Sequence, residues 1–255
     1  MSNYVKGVVD KYALPDTLDY TEKNRVYDPL CTHVDNWSIR YGYSLTSKKL
    51  SGSRAKGTAI TLASDLDIFI ALSSSTNATL SAIYNSLYDY MRLQNIQCKK
   101  QNVSIGVTYN NKNVDLVPGK RQHQHGDDCS LFKSKQNSWT QTNVTTHIST
   151  VRNSNRAVEI MATKIWRERH NLEFPSLLME LAVIEATKYR QYNDYDNNFL
   201  EVLSWLSSNM TTARIIDPAN SNNILSDDLT YSEKSTIASK AKESRSKEYW
   251  REIIW

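Results

Sequence analysis

The chain has 255 residues, and 40% of them are hydrophobic, which is enough for a globular core and excludes disordered, collagen-like and coiled-coil proteins. Lys and Arg outnumber Asp and Glu by 31 to 27, and the net charge of +4 suits an anionic ligand such as a nucleotide without the polycationic character of a histone-like protein. Three widely spaced cysteines argue against a disulfide framework, and the sequence shows neither an apolar leader nor an apolar run of about 20 residues. We therefore expect a cytoplasmic protein without a membrane span.

The first third of the chain predicts helices followed by a strand and another helix. Apolar residues at helical spacing from Asp16 to about Leu50 predict helices, with Pro29 starting or kinking one of them. The run Asp65–Leu72 is rich in branched and aromatic residues and ends at three serines, which predicts a buried strand. Apolar residues spaced by three and four between Leu80 and Met91 then predict an amphipathic helix.

The next segment predicts a β-hairpin and a long loop. Residues Val103–Tyr109 alternate between apolar and polar, four polar residues follow, and Val114–Pro118 is again apolar. This pattern predicts two strands joined by a four-residue loop, Asn110–Asn113. The polar stretch from Gly119 to Thr142 is predicted to be irregular.

Helical periodicity dominates after Asn153. It predicts helices around Val158–Ile165, Leu177–Ile184 and Phe199–Leu206, and a capping box, Thr230–Glu233, that opens a last helix toward Lys242. The sequence therefore predicts an α+β fold, in which residues 1–145 form a mixed-sheet domain with N-terminal helices and residues 146–255 form a helical domain packed against it.

Three aspartates are the strongest candidates for chemistry. Asp65 and Asp67 are two residues apart at a strand, so their side chains project from the same face, and a divalent cation would relieve their repulsion. Asp115 lies among apolar residues of another predicted strand, where an unpaired charge would be costly. If the two strands are neighbours, the three carboxylates can hold two metal ions. An Asp-x-Asp pair alone would more often be surface decoration.

A glycine-containing segment precedes the aspartate pair and changes that balance. In Gly52-Ser-Arg-Ala-Lys-Gly57, a tight turn offers backbone N–H groups and the Ser53 hydroxyl to a phosphate, and Lys56 adds positive charge. The order differs from a GxxxxGK[ST] loop, so the segment is informative only together with the three aspartates.

These residues resemble the signature of the DNA polymerase β-like nucleotidyltransferases. GSRAKGTAITLASDLDIFI is similar to the family's Gly-Ser pair followed by Asp-x-Asp on a strand, and SIGVTYNNKNVDLVP is similar to the hairpin that carries the third carboxylate. The wording is closest to the group of archaeal-type CCA-adding enzymes, 2′-5′ oligoadenylate synthetases and bacterial cGAS-like enzymes called CD-NTases. Asp217-Pro-Ala-Asn-Ser-Asn-Asn223 is similar to a segment of the oligoadenylate synthetase C-terminal domain.

The resemblance implies roles for the motif residues. Asp65, Asp67 and Asp115 would bind two Mg²⁺ or Mn²⁺ ions, and Asp115 would help to deprotonate the attacking hydroxyl. Gly52 and Ser53 would contact the β and γ phosphates of a nucleoside triphosphate.

Three further residues have a functional and a structural interpretation. Lys164 is at a position similar to that of a triphosphate-contacting lysine, or it is a solvent-facing lysine. His147 resembles a phosphate-binding histidine of archaeal CCA-adding enzymes, or it is a loop histidine bonded to backbone, which we favour slightly. Ser176 would contact phosphate or cap the buried helix, and capping is the simpler interpretation.

The resemblance favours a nucleotidyltransferase that joins nucleoside triphosphates, ATP foremost with the base unresolved, into a cyclic or linear oligonucleotide signal, as in antiphage defence. One alternative is a polymerase that extends an RNA 3′ end, although CCA-adding enzymes carry additional tRNA-binding domains. Others are transfer of AMP to a small molecule or protein, and a catalytically silent scaffold that binds nucleotide or RNA. A scaffold would have no chemical need for three carboxylates beside phosphates.

Overall fold

The computed structural model describes residues 3–63 and 65–255, so Ser64, directly before the aspartate pair, lies outside the described residues. The chain divides into two compact units. The sheet unit comprises residues 16–55 and 65–148, and the helical unit comprises residues 3–15, 56–63 and 149–255. Two segments from the first quarter of the chain therefore pack with the C-terminal helices, a grouping that a linear division at residue 145 does not include.

The sheet unit contains a mixed sheet with helices, which confirms the predicted α+β class. Within the described residues the sheet has seven strands; β1, β2, β5, β4 and β3 lie in this order, β6 pairs with β5, and β7 pairs with β6. Strands β2 and β5 are parallel, and the other pairs are antiparallel. The strands are β1 Leu45–Ser51, β2 Leu66–Leu72, β3 Gln97–Lys100, β4 Ile105–Tyr109, β5 Lys112–Arg121, β6 Cys129–Lys133 and β7 Ser138–Thr142.

The side chains of strand β2 alternate between an apolar face of the sheet and the face that carries the aspartates. Leu66, Ile68, Ile70 and Leu72 are buried in a core with the helices that cover this face. Asp67, Phe69 and Ala71 point to the opposite side, because side chains alternate along a strand. The helical elements that start in this unit are α2 Tyr20–Glu22, a π-helical turn Lys23–Tyr27, α3 Asp28–Tyr41, α4 Gly52–Lys56, α5 Leu80–Leu93 and α6 Val144–Asn153.

Most predicted elements of the first part of the chain are confirmed. The strand at Leu66–Leu72 and the helix Leu80–Leu93 are present, and Pro29 lies in the first turn of α3, directly after the π-helical turn Lys23–Tyr27. The prediction of helix up to Leu50 is wrong, because Leu45–Ser51 pairs with β2 as an edge strand. Its mostly polar side chains conceal this pairing in the sequence.

The predicted hairpin is present with a shorter loop. Asn110 and Asn111 alone connect β4 and β5, and both have positive φ, of 46° and 60°. Asparagine tolerates this backbone region and favours a two-residue turn, so the predicted four-residue loop is wrong. Strand β5 also continues past Pro118 to Arg121, and residues 117 and 118 have no strand partner on the side away from β2. A proline is tolerated at such a position.

The predicted loop from Gly119 to Thr142 is also wrong. It contains the end of β5 and the hairpin formed by β6 and β7. Cys129 and Leu131 are buried against Phe69 and Ala71, while the other side chains of the hairpin are mostly polar. Two buried apolar positions in a polar stretch gave too weak an alternation to predict strands.

The helical unit confirms the C-terminal helices. Leu178, Met179, Ala182 and Val183 of the predicted buried helix are fully buried. Thr230 forms the predicted capping box, in which its side chain and that of Glu233 bond each other's backbone N–H. Among the described residues no helix has the length and apolar character needed to cross a membrane. The elements are α1 Tyr4–Tyr12, α7 Ala157–Arg169, α8 Ser176–Ala186, α9 Tyr195–Asn209, a two-stranded sheet of β8 Ile216–Asp217 and β9 Asn220–Ile224, α10 Tyr231–Arg245, and 3₁₀ turns Leu225–Asp228 and Trp250–Glu252.

Candidate active site

The glycine at the start of the predicted phosphate loop lies directly against one of the aspartates. Strand β1 ends at Ser51, and Gly52 follows with φ of +60°. A Cβ atom at this position would lie 1.8 Å from Oδ2 and 2.5 Å from Cγ of Asp67. Both the backbone conformation and the space therefore require glycine, and the main chain of the loop closely approaches the Asp67 carboxylate.

The sheet register places two of the three predicted aspartates side by side. Asp67 of β2 is the register partner of Asp115 of β5, and Ser51 of β1 is the partner of Asp67 on its other side. On the far side of Asp115 the row continues through Gly106 of β4 to Lys99 of β3. Register partners in neighbouring strands project from the same face, so Asp67 and Asp115 share one face of the sheet.

Asp115 is half-buried and bonded to two polar side chains. Gln101 Nε2 donates to its Oδ1 at 2.9 Å, and Ser104 Oγ lies 3.4 Å from its Oδ2. Burial raises the pKa of the Asp115 carboxyl above its usual value, the negative charge of Asp65 raises it further, and the two hydrogen bonds oppose this change. Asp65, the third predicted aspartate, is therefore close enough to Asp115 for the two charges to interact.

Asp65 is exposed just before β2 and lines a cavity of about 180 Å³ together with Asp115. The rest of the cavity is formed by β3, β4 and the residues between them, including Gln97, Gln101 and Gly106. Open volume is thus available directly beside the Asp115 carboxylate.

The three aspartates do not yet form a closed metal site. Within residues 3–63 and 65–255, no three side chains of His, Cys, Asp or Glu are gathered so that they could hold a metal ion. The donor set nevertheless fits Mg²⁺ in kind, because this cation takes oxygen ligands and is usually held by one or two carboxylates together with substrate phosphates.

The two basic residues of the loop pair with carboxylates. Arg54 is buried and bonded to Glu22 within the sheet unit. Lys56 Nζ lies 2.7 Å from Glu180 Oε2 within the helical unit. Each side chain is therefore paired with a carboxylate that is distant in the sequence.

Lys164 belongs to the same buried cluster as Lys56. Its side chain is only 3% exposed, and Nζ donates to Glu180 Oε1 at 2.8 Å, Thr58 Oγ1 at 2.9 Å and the Thr58 carbonyl at 3.2 Å. Burial lowers the pKa of Lys164, and Glu180 opposes this effect. Burial alone would raise the pKa of Glu180, but the two ammonium groups outweigh it and hold the pKa below its usual value. The alternative of a solvent-facing Lys164 is therefore wrong.

Ser176 and His147 both lie within helices. The sequence analysis favoured a capping role for Ser176 and a loop position for His147. Ser176 is the first residue of α8, the N-cap position is Pro175, and Ser176 Oγ accepts a hydrogen bond from Arg167 Nη1 at 3.0 Å. The predicted capping role of Ser176 is therefore wrong. His147 lies in the first turn of α6, with its backbone N–H donating to Asn143, so it is not a loop histidine.

The sequence did not identify the residues that surround Asp115. Gln101 and Ser104 lie between β3 and β4, and neither belongs to a recognisable motif. Gly106 offered the one usable signal, since a glycine inside an alternating strand often marks a close approach of another group.

The mixed sheet carries two carboxylates on adjacent parallel strands, and a glycine loop lies against one of them. This topology is that of a nucleotidyltransferase fold. The structure of Escherichia coli MS115-1 CdnC with ATP is 21% identical, with a TM-score of 0.76 over 96% of this chain and 90% of that one. The Bradyrhizobium diazoefficiens CD-NTase CdnG in complex with GTP is 12% identical, with a TM-score of 0.73 over 98% and 94%.

A polymerase shares the fold as well. The Cid1 poly(U) polymerase bound to MgATP is 11% identical, with a TM-score of 0.66 over 97% of this chain and 95% of that one. No protein-family model and no curated protein sequence is similar to the chain. The resemblance to polymerase β-like nucleotidyltransferases inferred from the motifs is thus confirmed at the level of the fold.

Proposed function

We propose that the chain is a metal-dependent nucleotidyltransferase that joins nucleoside triphosphates, ATP foremost, into a cyclic or linear oligonucleotide signal of the CD-NTase type, with a role in antiphage defence. The observation that carries the proposal is the contact of Gly52 with Asp67, which is the register partner of Asp115 on one sheet face. This arrangement combines a glycine segment, whose backbone N–H groups would bind phosphate, with adjacent carboxylates. Binding of ATP by CdnC and of GTP by CdnG, which share the fold, supports nucleoside triphosphates as substrates.

Asp65, Asp67 and Asp115 are the residues that would hold Mg²⁺ or Mn²⁺. When bound, two such ions would neutralise phosphate charge and stabilise the attacking and departing oxygens of an in-line displacement. Gly52 and Ser53 would bind the β and γ phosphates through the backbone N–H groups and the hydroxyl.

Asp115 would help to take the proton from the attacking hydroxyl. The hydroxyl oxygen then forms a bond to the α-phosphorus, the bond from that phosphorus to the bridging oxygen breaks, and pyrophosphate leaves. The proton passes from Asp115 to solvent. Phosphate contacts by Lys56, Lys164, Ser176 and His147 remain predictions, and either lysine would have to exchange Glu180 for phosphate.

The test is incubation with each labelled nucleoside triphosphate and Mg²⁺ or Mn²⁺, followed by phosphatase treatment, chromatography and mass spectrometry. We expect pyrophosphate release and a product formed without added RNA; resistance of that product to phosphatase would indicate a cyclic product. Asp115→Asn should abolish turnover with the fold retained. Asp89→Asn is the matched control, since Asp89 is an exposed residue of α5. Normal turnover by Asp115→Asn would refute the assignment.

Extension of an RNA 3′ end is the second candidate, because the Cid1 poly(U) polymerase has the same fold over nearly the whole chain. Label that enters added RNA, with no product in its absence, would favour this activity. Absence of pyrophosphate under every condition would favour a silent scaffold that binds nucleotide or RNA.

A further inference from the structure

The Asp115 carboxylate is bonded to a side chain that has no place in the motif. Gln101 Nε2 donates to Asp115 Oδ1 at 2.9 Å, and both residues line the same cavity. We propose that Gln101 is a positioning residue, which fixes the orientation of the Asp115 carboxylate for the reaction. The inference rests on the proposed function for the reaction that it serves, although the orientation itself can be measured separately.

The amide of Gln101 is fixed so that its nitrogen faces Asp115. Ser104 Oγ donates to Gln101 Oε1 at 3.0 Å, which is a shorter contact than its 3.4 Å approach to Asp115. With the amide oxygen held by this hydroxyl, the amide nitrogen is directed to the carboxylate. Ser104 is itself buried, so it has little freedom to turn away.

The backbone of Gln101 is also held at both its polar groups. The Gln101 N–H donates to the Ser104 carbonyl at 3.0 Å. The Gln101 carbonyl accepts hydrogen bonds of 2.6 Å from both Tyr84 Oη and Ser134 Oγ. Tyr84 is almost fully buried on α5, so the turn that carries Gln101 is anchored to the core of the sheet unit. A glutamine held in this way transmits the rigidity of that core to Asp115.

Gly106 provides the space through which Gln101 reaches Asp115. A Cβ atom at Gly106 would lie 2.6 Å from Gln101 Nε2 and 3.3 Å from Asp115 Oδ1. Gly106 is the register partner of Asp115, and its Cβ would crowd the amide that bonds the Asp115 carboxylate. The crowded atom is the end of a side chain and not backbone, so Gly106→Ala should displace the amide from Asp115 and Ser104 and leave the fold intact.

The first test compares steady-state kinetics of Gln101→Leu with wild type. Leucine keeps much of the volume and removes the donor. We expect kcat to fall by about 10- to 100-fold, the range for losing a hydrogen bond to a charged group, while KM for the nucleotide changes less than about twofold. Gln94→Leu is the matched control, since Gln94 is exposed at the C-terminal end of α5. Gly106→Ala should lower kcat similarly, and the double variant should be no slower than Gln101→Leu.

The second test reads the orientation directly. Crystal structures of wild type and Gln101→Leu should show the Asp115 carboxylate turned away from its wild-type position in the variant. Unchanged kcat, or an unchanged Asp115 position, in Gln101→Leu would overturn the inference while leaving the proposed function intact. If wild type releases no pyrophosphate with any nucleotide, the proposed function fails, and the position of Asp115 in the two crystal structures alone decides the inference.

Discussion

Replacing Glu180 by glutamine should strongly destabilise the helical unit. Glu180 is 1% exposed and is the shared partner of Lys56 and Lys164. Glu180→Gln keeps the shape of the side chain but removes the negative charge that both ammonium groups share. The single amide oxygen of glutamine can accept a hydrogen bond from only one of the two lysines, and Lys164 keeps its bonds to the two oxygens of Thr58 without a counter-charge. Breaking a buried ion pair in this way costs about 3–5 kcal/mol. At about 2–4 °C per kcal/mol for a chain of this size, Tm should fall by about 6–20 °C.

The stability that Glu180→Gln loses should depend on pH. Burial lowers the pKa of Lys164 in the folded protein, and without Glu180 to oppose burial the pKa will fall further. Between that lowered pKa and the usual lysine value, the unfolded chain binds more protons than the folded chain. The free energy of unfolding of the variant therefore rises with pH in this window, and its deficit against wild type should narrow from neutral pH toward the usual pKa of lysine.

Urea unfolding at neutral and at alkaline pH measures both effects. Glu185→Gln is the control, because Glu185 is an exposed residue of the same helix. The double variant Lys164→Met/Glu180→Met should be more stable than Glu180→Gln, since it removes the ammonium of Lys164, the more deeply buried of the two lysines. Equal unfolding midpoints for Glu180→Gln and wild type would refute the description of this cluster as a stabilising buried ion pair.

Three further predictions concern the glycine loop, a helix cap and a thiol. Gly52→Ala should reduce pyrophosphate release by at least about 100-fold, because the new methyl group and the positive φ displace Asp67 or the loop, and a wild-type rate would contradict the close approach. Thr230→Ala should lower the free energy of unfolding by about 1 kcal/mol by removing the side chain that caps the Glu233 N–H, and an unchanged urea midpoint would exclude this role. Burial raises the pKa of Cys129 to about 11, so iodoacetamide at mildly alkaline pH should modify it far more slowly in the folded than in the denatured protein, as mapped by peptide mass spectrometry; equal rates would show that the thiol is accessible.

The elements that the sequence predicted correctly are those whose burial is evident locally. Strand β2 and helix α8 are apolar over most of their length, and the capping box at Thr230 is a local motif. The sequence predicted helix at β1 and loop at β6 and β7, and both predictions are wrong. These segments form strands because they pair with neighbouring strands, and their own composition does not indicate it. Polar residues at the edges of a sheet carry little signal of the strand that they form.

The candidate site was predictable to a similar degree. Asp67, Asp115 and Gly52 follow from the motif, but their mutual placement depends on a register between strands that are far apart in sequence. The sequence did not predict the ion pairs of Lys56 and Lys164, the lysines expected to contact phosphate. Their partner Glu180 lies over a hundred residues beyond the loop. A sequence motif does not report such a distant partner.

The division of the chain between its two units determines how the protein can be truncated. Residues 3–15 and 56–63 pack with the C-terminal helices, and Val5, Val8 and Ile60 are buried in the same core as Trp166 and Phe199. A fragment that stopped near residue 148 would expose these side chains to water, and a fragment that started there would leave a gap in the core that they fill. Neither half is therefore a sound candidate for separate expression, because a cut near residue 148 divides the helical unit between the two fragments.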